Sequence, residues 1–220
     1  MVSTLPLFRL ALALYRCATR FRPYSSPNPW QTDTCLGTFH YDKTYLEEGR
    51  YKSPKRIIDM LVDIVSRNGN LLLNFPLPNS GALDSYEVKM LDEITAWMAV
   101  NSEGIYSTRP WKMFGEGPGT ETAAVPGQRF NENNRKDLTA EDVRFTTKGN
   151  ALYAFVMGWP EKEAVLKPLG TNNAGMKVAN VAMLGFKGKL KWTQGADGLK
   201  VEMPPARPCD HAIALKITSA

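Results

Sequence analysis

The sequence predicts an α/β region with a parallel sheet, followed by an all-β region built from antiparallel strands. Two observations carry this prediction. Between residues 29 and 118 the pattern runs strand, helix, strand, helix, which is the order of a parallel α/β architecture. Beyond Asp142 apolar residues alternate in short segments separated by turn residues, which is typical of an antiparallel sandwich or barrel.

The first 28 residues are assigned to no domain. Residues 5–14 form a short apolar run, which is too short to span a bilayer. Arg9 interrupts that run and no charged residue precedes it, so it does not read as a clear signal peptide. Residues 16–29 are rich in Arg, Ser and Pro and show neither helical nor strand periodicity.

The α/β region begins at Trp30, where residues 30–41 suit a strand that runs into a loop. A helix follows, with Ser53 as N-cap and Pro54 in its first turn, where the missing N–H of proline costs nothing. We expect Gly69 to end this helix in the left-handed conformation. Its apolar residues recur at helical spacing, namely Ile57, Ile58, Leu61, Val62, Ile64 and Val65.

A second strand and helix complete the region. Residues 70–75 form a short apolar run between a helix end and a Pro/Gly loop, which is typical of a covered parallel strand. The next helix opens with Asp84 and Glu87, at the spacing of a capping box. We therefore place the α/β domain at residues 29–118.

The C-terminal region is predicted as a linker over residues 119–136 and a β-sandwich over residues 137–220. Glycines and prolines are frequent between Gly115 and Gly127, and the stretch Asn131–Lys136 is strongly polar. Apolar residues alternate in the predicted strands as the pairs Val143/Phe145, Leu152/Phe155, Leu190/Trp192, Leu199/Val201 and Ile213/Leu215/Ile217.

Charge and cysteine usage exclude several classes of function. The net charge is +5, but Lys and Arg are spread along the 220 residues, whereas nucleic-acid binders concentrate them in a patch. The three cysteines, Cys17, Cys35 and Cys209, contain no C-x-x-C pair, so they predict neither a disulfide framework nor a zinc site. We expect no metal site and no nucleic-acid partner.

The segment from Trp30 to Pro118 resembles the α-L-fucosidase family of glycoside hydrolases. Four sequence runs carry the resemblance, in the order that the family shows: Trp30–Tyr41 (WQTDTCLGTFHY), Tyr51–Ser66 with its LVDIVS end, Asn68–Asn74 (NGNLLLN), and Trp97–Trp111 with GIY and TRPW. The resemblance implies the C-terminal part of a (β/α)8-type barrel followed by a β-sandwich. It also implies retaining hydrolysis of terminal α-L-fucose from a fucosylated glycan or fucoside, without a cofactor.

Retaining hydrolysis requires two carboxyl groups, one as nucleophile and one as acid and base. In the family both precede the segment that Trp30 begins, yet no Asp or Glu stands before Trp30 here. Asp33 is the best substitute within the chain, but a single carboxylate cannot fill both roles, and a supporting hydrogen-bonding role suits it better. Glu47 and Glu48 lie in a polar loop, and Glu116 lies in a Gly/Pro-rich segment. We therefore assign no catalytic residue.

Sugar-binding residues are more plausible. Phe39 aligns with an aromatic position that walls the fucose methyl group in the family, and Trp30 and His40 flank it in sequence. We expect Phe39, Trp30, His40 and Asp33 to contact or support the sugar, since such pockets combine aromatic walls with a few polar groups. For Trp30 a core role is an equal alternative.

Other readings remain open. Trp159 and Trp192 lie on β-segments, where they form either the sandwich core or a sugar platform; Trp97 and Trp111 suit packing between helix and sandwich. The chain is then a truncated hydrolase, a non-catalytic carbohydrate-binding or interaction module, or an inactive product.

Two βα units leave unpaired sheet edges, which predicts self-association. Members of the family are commonly secreted, periplasmic or lysosomal.

Overall fold

A computed structural model describes residues 25–120, 137–173 and 176–220. The helices are α1 (Lys43–Glu47), α2 (Pro54–Ser66) and α3 (Ser85–Asn101). The strands are β1 (Trp30–Cys35), β2 (Gly69–Asn74), β3 (Arg109–Glu116), β4 (Val143–Lys148), β5 (Ala151–Val156), β6 (Glu163–Leu166), β7 (Val178–Met183), β8 (Trp192–Gly195), β9 (Gly198–Glu202) and β10 (Ile213–Ser219).

The first region contains the predicted parallel sheet. Strands β1 and β2 pair in parallel, with a register that runs from Trp30 opposite Gly69 to Cys35 opposite Asn74. Helices α1 and α2 lie in the connection between the two strands, and α3 follows β2. The strand–helix–strand–helix order of the sequence analysis is therefore confirmed.

Helix α2 begins as predicted but ends differently. The Ser53 hydroxyl accepts the Arg56 N–H at 3.2 Å, and Pro54 stands in the first turn. The residue in the left-handed conformation is Asn68, with φ of 69°, so the expectation for Gly69 was wrong. Asn tolerates this conformation. A glycine is needed at position 69 because neighbouring side chains leave no space for a Cβ atom. A Cβ atom there would lie 2.7 Å from both Ile64 and the Trp30 ring.

Helix α3 has the predicted capping box. Asp84 Oδ1 accepts the backbone N–H groups of Tyr86 and Glu87, both at 2.9 Å. Glu87 Oε2 accepts the Asp84 N–H at 3.0 Å in return. These bonds satisfy donors that a helix start otherwise leaves without partners.

The C-terminal region is the predicted sandwich. One sheet has the strand order β3-β4-β5-β10-β7 and the other has the order β6-β9-β8, with antiparallel pairing throughout. Apolar side chains from both sheets fill the space between them, among them Phe145, Leu166, Leu199 and Leu215. The fold class of α/β plus all-β is confirmed.

Strand β3 lies within the range that the sequence analysis gave to the α/β domain, yet it pairs with β4 in the sandwich. Its register shifts between Pro110 and Gly115, and this irregular strand lacks the strict alternation by which the others were recognised. Strands β6 and β7 were also not predicted as elements, while the Leu190/Trp192 segment contributes only residues from Trp192 onward.

Strand β5 is buried on both faces. Leu152, Ala154 and Val156 face the interior of the sandwich. The alternate residues Ala151, Tyr153 and Phe155 pack in a second cluster with side chains of α2 and α3, including Ile58, Val62 and Trp97. The two helices therefore lie between the small parallel sheet and the sandwich.

Two tryptophans show where the regions meet. The Trp97 indole is buried, and its N–H donates to the Ala212 carbonyl at 2.7 Å, which confirms its predicted packing role between helix and sandwich. Trp111 instead packs inside the sandwich, with its ring centroid 5.1 Å from that of Phe145.

A buried ion network also joins the regions. Asp63 on α2 accepts hydrogen bonds from Arg67 Nε at 3.0 Å and from Arg144 Nε on β4 at 2.5 Å. All three side chains are almost completely buried, and the Arg67 guanidinium lies 3.6 Å from the Phe114 ring centroid on β3. Such groups are stable in the interior only while the charges remain paired.

Candidate functional site

The candidate site lies at the carboxyl ends of β1 and β2. These ends are adjacent, because Cys35 pairs with Asn74 and the Leu36 N–H donates to the Asn74 carbonyl at 3.2 Å. The loop of residues 36–42 leaves β1 here, and residues 75–84 leave β2. Ligands of parallel α/β proteins bind at this end of the strands.

Phe39 and His40 stand in the first of these loops. The Phe39 side chain is 52% exposed, and its carbonyl oxygen accepts a hydrogen bond from Asn74 Nδ2 at 3.2 Å. His40 is also exposed, and its carbonyl accepts the Thr38 hydroxyl. An exposed aromatic ring beside an exposed imidazole offers an apolar wall and a polar group to a sugar.

The base of this loop is held by Lys52. Its ammonium group donates to the Cys35 carbonyl at 2.6 Å, and its N–H donates to the Leu36 carbonyl at 2.9 Å. The Lys52 carbonyl in turn accepts the Tyr86 hydroxyl at 3.3 Å. These bonds connect the end of β1 to the start of α3.

A tyrosine pair supports the second loop. The Tyr51 hydroxyl donates to Asp84 Oδ2 at 2.8 Å, and the Tyr51 and Tyr86 rings stack with centroids 5.1 Å apart. Burial raises the pKa of the Tyr51 hydroxyl well above its ordinary value, with the Asp84 carboxylate adding to the effect. Tyr51 is therefore a neutral hydrogen-bond donor at any physiological pH.

Asp33 lies within β1 rather than in the loop. It pairs with Leu72 of β2 and is 9% exposed. Leu71 and Leu73 pack against the helices, so Leu72 and its partner Asp33 occupy the opposite face, because strand residues alternate. Asp33 thus lies two residues before the end of β1, and the loop that carries Phe39 follows that end.

Trp30 is not brought to the same end. It starts β1, so the strand places it about 16 Å from Cys35 at ~3.3 Å per residue. Its indole N–H donates to the Arg67 carbonyl at 2.9 Å, and its ring packs against Gly69. This arrangement favours the core role of Trp30 over a role in a site at the Phe39 loop.

Of the other carboxylates considered as catalytic groups, Glu47 and Glu48 lie on the surface. Glu47 forms an exposed ion pair with Lys43 at 2.9 Å, and Glu48 forms one with Arg50 at 2.6 Å. Neither is desolvated as a catalytic acid would be.

Glu116 differs, because burial raises its pKa to about 7, a value that suits acid/base catalysis. Its Oε1 atom is buried and without a hydrogen-bond partner among the described residues. However, it ends strand β3 of the sandwich rather than lying in a loose segment, and β3 pairs with β4 instead of the parallel sheet. Glu116 is therefore outside the site of Phe39.

The sandwich tryptophans contribute to its core. Trp192 pairs with Val201, which is buried, and paired residues share a face, so Trp192 points toward the interior. Trp159 also packs against the interior cluster, and the Arg207 guanidinium lies 5.2 Å from its ring centroid. This geometry disfavours a sugar platform made of these two residues.

The sequence analysis did not identify Asn74, Lys52, Tyr51 or Asp84 as parts of the site. Asn74, Lys52 and Tyr51 were all contained in the motifs that carry the family resemblance, and Asp84 was recognised only as a helix cap. Within residues 25–120, 137–173 and 176–220, no group of His, Cys, Asp or Glu is placed to hold a metal ion. None of the helices described in those ranges has the length and apolar character of a membrane span.

Comparison with known protein families gives two matches. The model "Alpha-L-fucosidase" matches residues 8–103, and the model "Alpha-L-fucosidase C-terminal domain" matches residues 135–218. The first match begins inside the segment that the sequence analysis left without a domain.

Curated relatives and solved structures agree with these matches. Tissue alpha-L-fucosidase of Homo sapiens is 28% identical over 213 residues, which cover 93% of this chain and 40% of the relative. Alpha-L-fucosidase of Branchiostoma floridae is 25% identical over 213 residues, covering 92% of this chain and 41% of the relative. The chain thus spans about two fifths of the length of these relatives.

Among solved structures, alpha-L-fucosidase isoenzyme 1 from Paenibacillus thiaminolyticus has a TM-score of 0.66 at 24% identity, covering 93% of this chain and 44% of that one. The Thermotoga maritima alpha-fucosidase has a TM-score of 0.67 at 19% identity, covering 88% and 40%. At these identities the structures establish a shared fold.

Proposed function

Because the chain belongs to the α-L-fucosidase family, we propose that it is the C-terminal part of a retaining α-L-fucosidase. Such a glycoside hydrolase removes terminal α-L-fucose from glycans. The single observation that supports the proposal most is Phe39, an exposed aromatic ring at the carboxyl end of a parallel strand. An apolar ring in that position suits the methyl group that distinguishes fucose from most hexoses.

In this proposal the chain contributes a sugar-binding wall but not the bond-breaking groups. Retaining hydrolysis requires two carboxyl groups ~5 Å apart. Asp33 lies on the face of the sheet away from the helices, while Glu47 and Glu48 are surface ion pairs and Glu116 belongs to the sandwich. We expect the nucleophile and the acid/base to come from a part of the enzyme outside these 220 residues.

The sugar-binding wall is tested by saturation-transfer NMR with α-L-fucose and the purified chain. We expect transfer to the fucose methyl group in the parent and its loss in Phe39→Ala. Tyr106→Ala is the matched control, because Tyr106 is a 64% exposed aromatic residue in the turn after α3. An equal signal in Phe39→Ala, or no signal in the parent, would contradict the proposal. Binding that disappears only in Trp192→Ala would favour the alternative of a carbohydrate-binding sandwich.

We further propose that the parallel sheet mediates self-association when no other chain covers it. Leu72 is 54% exposed on the face away from the helices, and among the described residues β1 and β2 pair only with each other. Free strand edges beside apolar surface promote association. Sedimentation velocity over a range of concentrations should show oligomers that decrease in Leu72→Asp, whereas a parent that stays monomeric throughout would refute this proposal.

A further inference from the structure

The position of the Phe39 ring depends on the backbone of its loop. Phe39 is half exposed and belongs to none of the buried clusters that the described residues form. A ring without surrounding packing can be fixed only through the main chain that carries it. The contacts that hold the main chain of residues 37–41 therefore determine where the apolar wall stands.

Both ends of this loop are attached to regular structure. At the start, Lys52 binds the Cys35 carbonyl at 2.6 Å, and the Leu36 N–H binds the Asn74 carbonyl at 3.2 Å. At the end, Asp42 caps helix α1 by accepting the Thr44 N–H at 3.0 Å. The middle of the loop, residues 38–40, lies between these two attachments.

One side chain from another element reaches that middle portion. Asn74 Nδ2 donates to the Phe39 carbonyl at 3.2 Å, across a separation of 35 residues. The amide nitrogen must face this carbonyl, because a carbonyl oxygen can only accept. Asn74 itself is fixed at the end of β2 by its pairing with Cys35. Its side chain therefore holds the middle of the loop at a defined position relative to the sheet.

We infer that Asn74 is a positioning residue for the sugar-binding wall, holding the Phe39 backbone so that the ring faces the ligand. This inference rests on the proposed function for the identity of the ligand, α-L-fucose. It deepens that proposal by assigning a role to a residue outside the predicted set of Phe39, Trp30, His40 and Asp33. The role requires an N–H donor at position 74 and not merely a side chain of similar size.

The test uses the full chain with 4-fluorophenylalanine at position 39, followed by fluorine NMR. Asn74→Asp keeps the shape of the side chain but replaces the donor with an acceptor. We expect it to shift or broaden the fluorine resonance and to weaken α-L-fucose binding by about fivefold, the effect of one hydrogen bond. Asn74→Gln keeps the amide donor and should bind within about twofold of the parent.

Asn70→Asp is the matched control. Asn70 is exposed on the same strand and lies four residues before Asn74, so both point to the same face. It should change neither the resonance nor the affinity. An Asn74→Asp chain with an unmoved resonance and unchanged affinity would overturn the inference. Loss of the folded state in Asn74→Asp would also contradict it, by assigning Asn74 a general structural role.

Failure of the proposed function is recognised separately. If the parent chain does not bind α-L-fucose, the proposed function fails, and the sugar-free spectra still decide the role of Asn74. A resonance altered by Asn74→Asp but not by Asn70→Asp supports positioning of the loop. A resonance altered equally by both variants contradicts it, because only the general charge change would then matter.

Discussion

The small parallel sheet and the sandwich differ in how they cover their apolar residues. In the sandwich, two sheets enclose one interior and helices α2 and α3 cover the outer face of β5. Among the described residues, helices pack on one face of the parallel sheet, and Leu72 on the other face is 54% exposed. Most exposed large apolar side chains of the described residues precede the sandwich strands in sequence, namely Phe39, Leu72, Leu77, Val88, Leu91 and Tyr106, whereas the sandwich exposes Val165.

This difference distinguishes the covered apolar interior of the sandwich from the exposed sheet face at Leu72. Parallel sheets are normally covered on both faces, so the exposed face at Leu72 is the surface where the remainder of a barrel would lie in the proposed enzyme. The opposite side of the parallel region is fixed by its helices, which pack on the sandwich. The sandwich therefore packs against the same helices that cover one face of the parallel sheet.

The ion network between the regions gives the largest expected effect. Asp63→Ala removes the carboxylate that pairs with both Arg67 and Arg144, leaving two buried guanidinium groups uncompensated. We expect the free energy of unfolding to fall by about 3–5 kcal/mol, measured by urea denaturation. Asp92→Ala, on the exposed surface of α3, is the control and should change little. A small effect of Asp63→Ala would show that the sandwich does not support the helices through this network.

Two leucines compare the covered and the uncovered surface directly. Leu215→Ala in β10 creates a cavity in the sandwich interior, where Leu215 is fully buried, and should cost about 2–5 kcal/mol. Leu72→Ala removes a side chain that is largely exposed and should change stability by less than about 0.5 kcal/mol. Equal losses by chemical denaturation would mean that the face at Leu72 is covered in solution.

A buried carboxyl group gives a smaller effect that depends on pH. Burial raises the pKa of Glu116 from its ordinary value of 4.5 to about 7, so the folded chain binds this proton more tightly than the unfolded chain. The contribution of Glu116 to stability is therefore present at low pH and lost as the pH rises through about 7.

Glu116→Gln should remove this dependence. At pH 8 we expect it to raise the free energy of unfolding by about 1 kcal/mol, less than the full shift implies because the side chain is partly exposed. Asp59, whose pKa burial raises to about 6, should leave a residual slope of the same sign at lower pH. Glu163→Gln, at an exposed position of β6, is the control. A parent whose stability does not change between pH 5 and pH 8 would contradict the prediction.

Local signals predicted the regular elements well. The Ser53 cap and the Asp84–Glu87 capping box each depend on neighbouring residues, so sequence alone was sufficient to place the starts of α2 and α3. The left-handed residue after α2 was misplaced by one position, because the contact that requires Gly69 comes from Trp30, 39 residues away. Strand β3 was missed as part of the sandwich because its pairing with β4 is irregular.

The site was predictable only in part, because it depends on a contact between residues that are far apart in sequence. Phe39 was identified through the family resemblance, and its exposure in the loop fits a sugar-binding wall. The bond from Asn74 to its carbonyl joins residues far apart in sequence, and no spacing rule indicates such a contact. Trp30 and Phe39 are close in sequence but lie at opposite ends of β1, since an extended strand separates them.

The central claim, that this chain holds a sugar-binding wall without its own bond-breaking groups, is tested most directly by hydrolysis of an aryl α-L-fucoside. The purified 220-residue chain is assayed beside its Asp33→Asn variant, with folding of both verified by circular dichroism. We predict no release of the aryl alcohol above the uncatalysed rate in either sample. Turnover by the parent that disappears in Asp33→Asn would contradict the account, because it would place a working catalytic carboxylate within this chain.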